Sequence, residues 1–180
     1  MTVANEDGYD IRNILSQMRE EYWQGLEEEE SEAKEVLDCL VFTLGGERYA
    51  FETQYACEVI RIPKLIRVPA VQSVISGIFN LRGEITAAMD IRPMLGLSQP
   101  EIGATGRILV VKSEQFATGV ICEAAHGVQA LFLDSFEPAA GLSAARQQFI
   151  KGHFNEEEGS VILLDMEALL CSPEIMVGEV

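Results

Sequence analysis

The apolar positions change their period along the chain. Ile11, Ile14, Leu15, Met18, Tyr22 and Leu26 recur at three- and four-residue spacing, with Arg12, Arg19, Glu20 and Glu21 on the opposite side. That spacing predicts an amphipathic helix capped by Asp10. The run Glu27 to Glu30 ends the pattern and opposes the helix macrodipole, so the helix is expected to fray near Glu28. Residues 28–35 then read as a solvated linker. From Cys39 the period shortens: residues 39–44 form an apolar strand, Gly45-Gly46 a tight turn, and residues 47–51 its antiparallel partner. Tyr55, Ala56, Val59 and Ile60 return to helical spacing and predict one or two turns of helix before an extended Arg61-Ile-Pro63.

The stretch from Gly77 to Leu97 organises the rest of the chain. Ile78, Phe79 and Leu81 favour a strand, Arg82-Gly83 interrupts it, and residues 84–89 read as a second strand covered on both faces. Asp90 is placed to cap a short helix containing Pro93 and Met94 and closed by Gly96. An arginine between two buried strands is costly unless a carboxylate or carbonyls receive it, which singles out Arg82.

After the polar loop of residues 98–106 the same order returns. Residues 107–112 and 116–122 make a hairpin, residues 123–128 a short helical piece, and residues 131–136 an extended arm. Residues 161–164 form a strand, and Asp165 caps a last helix over residues 166–170. The two halves even end alike, Ile85-Thr-Ala-Ala-Met-Asp90 beside Val161-Ile-Leu-Leu-Asp165. Short strands, frequent turns and an internal repeat predict a mainly β protein of two packed barrels. The first is expected over about residues 37–97 and the second over about 107–172, with a C-terminal strand exchange allowed. Each barrel is small, so a shared interface should hold the pair.

Charge alters this picture. The 180 residues carry a formal net charge of -16, unfavourable for nucleic acid or anionic lipid. Up to Asp38 there are 12 acidic and 3 basic residues, a net of -9, which marks residues 1–36 as a separate acidic extension. Its helix either lies on the body of the chain or docks a partner. No run of 18 apolar residues occurs, and the N-terminus lacks a signal-peptide pattern, so a cytoplasmic protein without direct membrane insertion is expected. Cys39, Cys57, Cys122 and Cys171 are scattered and read as buried free thiols. Arg48, Arg61, Lys64, Arg67, Arg82 and Arg92 all fall in the first expected barrel, either as a positive surface that steers an acidic partner or as scattered solvated charge.

Catalytic chemistry has one candidate, Cys122 four positions before His126, as a thiol nucleophile with its base. No third orienting group, Gly-x-Ser-x-Gly, P-loop or His-Glu-x-x-His accompanies it, and no cofactor or metal is expected. A small-ligand barrel is disfavoured, because Val, Ile, Leu, Phe and Ala fill these strands.

Four pieces in order carry a resemblance. They are Leu40-Val-Phe-Thr-Leu-Gly-Gly-Glu-Arg-Tyr-Ala-Phe51, Glu58-Val-Ile-Arg61, Asn80-Leu-Arg-Gly83 with Asp90 behind it, and Ile162-Leu-Leu-Asp-Met-Glu-Ala-Leu-Leu170. From about Leu37 to Ser172 the chain resembles the CheW family of bacterial chemotaxis coupling proteins. The resemblance implies a pair of SH3-like five-stranded barrels and no catalysis. It also implies an adaptor between the cytoplasmic tip of a chemoreceptor and the regulatory domain of the CheA-type histidine kinase. Adaptors of this kind also serve other chemosensory pathways, such as twitching motility or developmental signalling; fusions to a receiver domain occur, but a stand-alone adaptor is expected here. Under the resemblance, Glu58 and Arg82 form an ion pair that braces the short helical segment against the turn of Asn80 and Gly83. Ala56, Val59 and Ile60 become candidates for an apolar docking patch, or else are core. Two departures stand out: Ala87 occupies a position where the family often has proline, and the acidic N-terminal helix is an addition to a minimal coupling protein.

Overall fold

The computed structural model describes residues 34–69, 72–114 and 116–175. The helix expected over residues 11–26 lies outside them. Eleven strands are described: β1 (Val36–Leu44), β2 (Glu47–Glu52), β3 (Ala56–Arg61), β4 (Ile75–Leu81), β5 (Glu84–Met89), β6 (Arg107–Lys112), β7 (Ala117–Cys122), β8 (Ala124–Phe132), β9 (Phe136–Pro138), β10 (Ile150–Glu156) and β11 (Gly159–Leu164). Two short helices join them, α1 (Ala144–Gln147) and α2 (Met166–Leu170). The protein is thus mainly β, as its patterning predicts.

The strands form a six-stranded sheet, β8-β1-β2-β11-β10-β9, and a five-stranded sheet, β3-β6-β7-β5-β4. The expected division into residues 37–97 and 107–172 is therefore corrected. Each half of the chain gives its first hairpin to the other half's sheet: β1-β2 joins β8 to β11, and β6-β7 joins β3 to β5. In terms of the internal repeat, the two orders are the same, with β9 added at the edge of one. In the other, a single bridge between Ile66 and Ile78 stands in the equivalent place. Each exchange is sealed by a parallel pairing, β2 with β11 and β5 with β7.

This exchange explains why the central strands lack polar alternation. Along β1, Cys39 and Val41 enter a cluster with Ala50, Leu131, Phe154, Val161 and Leu163, lying on one face of the six-stranded sheet. Leu40, Phe42 and Leu44 face the opposite way, into a larger cluster that includes Met89, Leu109, Val111 and Val120 of the other sheet and Ile91 just after β5. The five-stranded sheet has its own cluster of Phe79, Ala88, Ile108, Val110 and Ile121. Two small cores flank one shared core, and burying both faces of β1 is what makes a continuous apolar run the right sequence for it. In the shared core, Phe42 meets Phe51 edge to face at 5.8 Å, and the Tyr49 hydroxyl donates to Glu47 Oε2 at 2.9 Å, so the buried ring keeps its polar end satisfied.

Local geometry agrees with the turn chemistry in places and departs elsewhere. Gly45 and Gly46 both hold positive φ, 61° and 78°, the two-residue hairpin turn read from the sequence. Asp165 caps α2 by accepting the Ala168 N–H at 3.0 Å. Asp90, its counterpart in the repeat, starts only a series of turns. Its oxygens are occupied by Arg92, whose backbone N–H and guanidinium both reach Oδ1. The helical turns expected over residues 53–60 reduce to a single 3-10 turn, Thr53–Tyr55, followed by β3. Residues 123–128, read as helical, belong mostly to β8, and the matching 3-10 turn comes later at Leu133–Ser135. In both strands a bulge shifts the register, between Ala56 and Glu58 in β3 and opposite Val41 and Phe42 in β8, so two-residue alternation is broken and imitates helical spacing.

Candidate protein-docking surface

The tip of the β4-β5 hairpin is built by residues 80–83. Arg82 and Gly83 hold positive φ, 51° and 98°, between the paired residues Leu81 and Glu84, and the Asn80 Oδ1 accepts the Gly83 N–H at 2.8 Å. This is an Asx-supported turn, in which glycine meets the left-handed backbone without strain and Asn80 supplies the missing acceptor. Arg82 Nη2 lies 2.8 Å from Glu58 Oε2 on β3. β3 and β4 are the two edges of the five-stranded sheet, so the pair spans its closing seam. Beside it, the Ile66 N–H donates to the Ile78 carbonyl at 2.9 Å, and the Ile66 carbonyl accepts the reciprocal bond at 2.8 Å. A Cβ at Gly77 would sit 2.8 Å from the Ile66 carbonyl, so this close approach requires glycine.

The expected partners meet, but the expected cost does not arise. Arg82 is exposed, its side chain 80% accessible against 26% for Glu58, and is not an arginine buried between strands. A hairpin tip projects beyond the sheet, which keeps the guanidinium in water. An exposed pair contributes little, so Arg82→Gln or Glu58→Gln should each change stability by less than about 1 kcal/mol in a denaturant melt. A loss well above that in either variant would contradict the exposed geometry.

The bulged register of β3 sorts the apolar candidates. Val59 turns outward and is exposed, whereas Ile60 packs on the core of the five-stranded sheet and Ala56 on the shared core. On the outer face of β4 and β5, Ile66 pairs with Ile78 and Asn80 with Ile85, and Ile66 and Ile85 are 62% and 76% exposed. Residues 84–89 are therefore not covered on both faces throughout: Glu84 and Ile85 stand out at the tip, and only Thr86, Ala88 and Met89 are buried. Ile85 carried no separate signal in the sequence, because a strand read as doubly covered hides its exposed end. The outcome is an apolar patch beside an arginine and a carboxylate, the composition of a protein-binding surface.

The buried arginine is Arg92. Its guanidinium donates to Asp90 Oδ1 at 2.9 Å and Oδ2 at 2.7 Å and to the Pro100 carbonyl at 2.9 Å, and reaches Glu123 Oε1 at 3.4 Å. Arg92 and Asp90 are both nearly inaccessible, so Arg92 leaves the expected positive surface. Arg48 leaves the first cluster too, since the hairpin exchange places it in the six-stranded sheet. Burial alone would raise the Asp90 carboxyl. Hydrogen bonds from Arg92 and Gln99, with the charge of Arg92, outweigh it and hold the group below the usual carboxylate value. Glu123, the one residue between β7 and β8, also accepts the Gly45 and Gly46 N–H groups at 2.8 and 3.1 Å. One ion network therefore ties the β1-β2 turn to the end of β5, across the two sheets.

The thiol candidate fares otherwise. Cys122 is fully buried in the shared core, and burial pushes its thiol up to about 12, the reverse of an activated nucleophile. His126 shares a hydrogen bond with Thr43 Oγ1 at 2.8 Å. Cys39 is buried likewise, but Cys57 and Cys171 are exposed, which corrects the expectation of four buried thiols. Labelling of the folded protein with a thiol reagent should modify Cys57 and Cys171 and leave Cys39 and Cys122 untouched until denaturant is added; rapid labelling of Cys122 in buffer would contradict its burial. Among the described residues no group of acidic, His or Cys side chains is arranged to hold a metal ion.

Two interlocked sheets with filled cores define a mainly β protein that carries an outward patch of apolar and charged side chains. The CheW-like domain family matches residues 38–174, and the chain belongs to that family. It is 30% identical over 118 residues to Protein PilI of Pseudomonas aeruginosa, covering 65% of this chain and 66% of that protein. It is 28% identical over 132 residues to the chemotaxis protein CheW of Bacillus subtilis, covering 73% and 85%. The fold is also that of the crystal structure of the scaffolding protein TtCheW from Thermoanaerobacter tengcongensis, with a TM-score of 0.69 at 24% identity over 78% of this chain and 96% of that one.

Proposed function

We propose that this protein is a non-catalytic chemosensory adaptor that holds the regulatory domain of a CheA-type histidine kinase and the cytoplasmic tip of a chemoreceptor in one complex, in the cytoplasm at receptor arrays. Family membership supports an adaptor role. The observation that carries the reading to a particular surface is the outer face of β4-β5. There Ile66 and Ile85 stand exposed by the turn of Asn80 and Gly83, from which Arg82 reaches Glu58 of β3, and Val59 is exposed on that same β3 strand. A receptor tip is a helical hairpin, and an apolar face rimmed by charge accepts a helix through its own apolar stripe. Among the described residues no helix is long and apolar enough to cross a membrane.

The patch can be tested without disturbing the core. Ile85→Asp places a charge at a position 76% exposed, so stability should stay within about 0.5 kcal/mol of the parent in a denaturant melt. Capture of a purified receptor tip, or of the kinase regulatory domain, should fall at least tenfold for whichever partner uses this face. Retention of both affinities by Ile85→Asp would exclude the patch as a docking surface.

A further inference from the structure

With Arg92 buried and Arg48 in the other sheet, four of the six cations of the first half remain around the five-stranded sheet. They are Arg61, Lys64, Arg67 and Arg82, and all four are exposed. The arm between β3 and β4 sets the first three. Its Ile62 and Leu65 turn into the core of that sheet, and backbone bonds tie Ile66 to Ile78 of β4. Lys64 and Arg67 therefore stand in water within two residues of the exposed Ile66, while Arg82 projects from the hairpin tip that also carries Ile85. Arg82 has Glu58, but none of Arg61, Lys64 and Arg67 is in an ion pair among the described residues. Arg61 also lies directly across the β3-β6 ladder from Arg107, a like-charge pairing that costs stability. Residues 56–85 carry four basic and two acidic residues, a net of +2, in a chain whose total is -16. Charge of the minority sign, left unpaired around apolar side chains, serves neither stability nor solubility and is what an oppositely charged partner can read.

We infer that the protein received on the β4-β5 face is an acidic one, presenting carboxylates beside the apolar side chains that cover Ile66 and Ile85. This rests on the docking role proposed above and adds the chemistry of the partner. A long polyanion such as nucleic acid would also meet the acidic remainder of the chain, whereas a compact acidic helix engages the face alone. Lys64 and Arg67 act before contact, drawing the carboxylates in, and Ile66 and Ile85 hold the partner once it has docked.

Stopped-flow association of the full chain with the purified receptor tip and with the kinase regulatory domain, over a salt series, reads this charge. For the partner that Ile85→Asp weakens, Lys64→Glu/Arg67→Glu should slow association at least tenfold at about 20 mM salt, and the gap should close to about twofold at about 0.5 M. Both side chains are exposed, so this variant should melt like the parent. Lys34→Glu/Lys112→Glu makes the same change in net charge at exposed lysines outside the face and should keep the rate within about twofold of the parent. Ile85→Asp removes apolar contact and should still weaken binding at about 0.5 M salt. Weakening by Ile85→Asp with a parental rate in Lys64→Glu/Arg67→Glu, or with equal slowing by Lys34→Glu/Lys112→Glu, overturns the acidic partner and leaves the docking face standing. Full binding of both partners by Ile85→Asp overturns both. Faster association by Lys64→Glu/Arg67→Glu would identify a basic partner, or an acidic segment of this chain as the occupant, and overturns the acidic partner as well.

Discussion

Arg92→Met is expected to destabilise the protein by about 3–5 kcal/mol, since it strands the Asp90 carboxylate in the interior without its counter-charge. The same change frees Glu123 from Arg92 and so loosens the hold on the Gly45-Gly46 turn, at the junction between the sheets. The double variant Asp90→Leu/Arg92→Met removes both charges together and should recover much of the loss, because a buried pair replaced by apolar side chains is often neutral. Denaturant melts of the three proteins check this, and equal losses in single and double variants would show that the pair is not the source. The pH dependence has a definite sign. The native Asp90 carboxyl is held below its ordinary value, so its contribution is complete above the ordinary carboxylate range and is lost as pH falls through the lowered native value. The Asp90→Leu/Arg92→Met variant should lose less stability than the parent over that acid window.

Residues 34–106, prepared as a fragment, should not fold. This piece holds β1 to β5, yet β1-β2 finds its sheet only with β8 and β11, and β3 and β5 pair with β6 and β7. Had each half built its own barrel, the fragment would keep a complete core. With the hairpins exchanged it retains only β1-β2 and β4-β5 as isolated ribbons, below the three strands that independent stability requires. Far-ultraviolet circular dichroism and a thermal scan of the fragment should show no cooperative transition, and adding residues 107–175 in equal amount should restore one. A cooperative melt by the fragment alone would place the hairpins back with their own halves.

The exchange is also what sequence reading did not reach, and the reason is physical. Alternation and turn residues give each strand and its nearest neighbour, so the β1-β2 and β6-β7 hairpins were legible from Gly45-Gly46 and from the apolar runs about residue 114. The internal repeat was legible too, through the matched ends at Asp90 and Asp165. Which half receives which hairpin is decided by long-range pairing, antiparallel for β1-β8 and β3-β6 and parallel for β2-β11 and β5-β7, and a repeat makes the two receiving halves look alike. Bulges in β3 and β8 concealed two strands as helical turns, so the outward direction of Val59 and the inward one of Ile60 emerged only from the register. Arg82 and Arg92 exchanged roles for a similar reason. Both follow a strand in an apolar context, but one sits on a projecting turn and the other under a loop whose Pro100 carbonyl and Gln99 side chain reach back to the network. The Glu58–Arg82 partnership, by contrast, was readable through resemblance before the strands that carry it were correctly assigned.

Simultaneous holding of two proteins by one small β chain is the central claim. Sedimentation velocity on this protein mixed with a purified receptor tip and a CheA-type regulatory domain tests it most directly, because it counts what travels together. A three-component species heavier than either pair is the expected boundary, reduced by Ile85→Asp. Two separate binary complexes that displace one another, with no ternary boundary at any ratio, would contradict it.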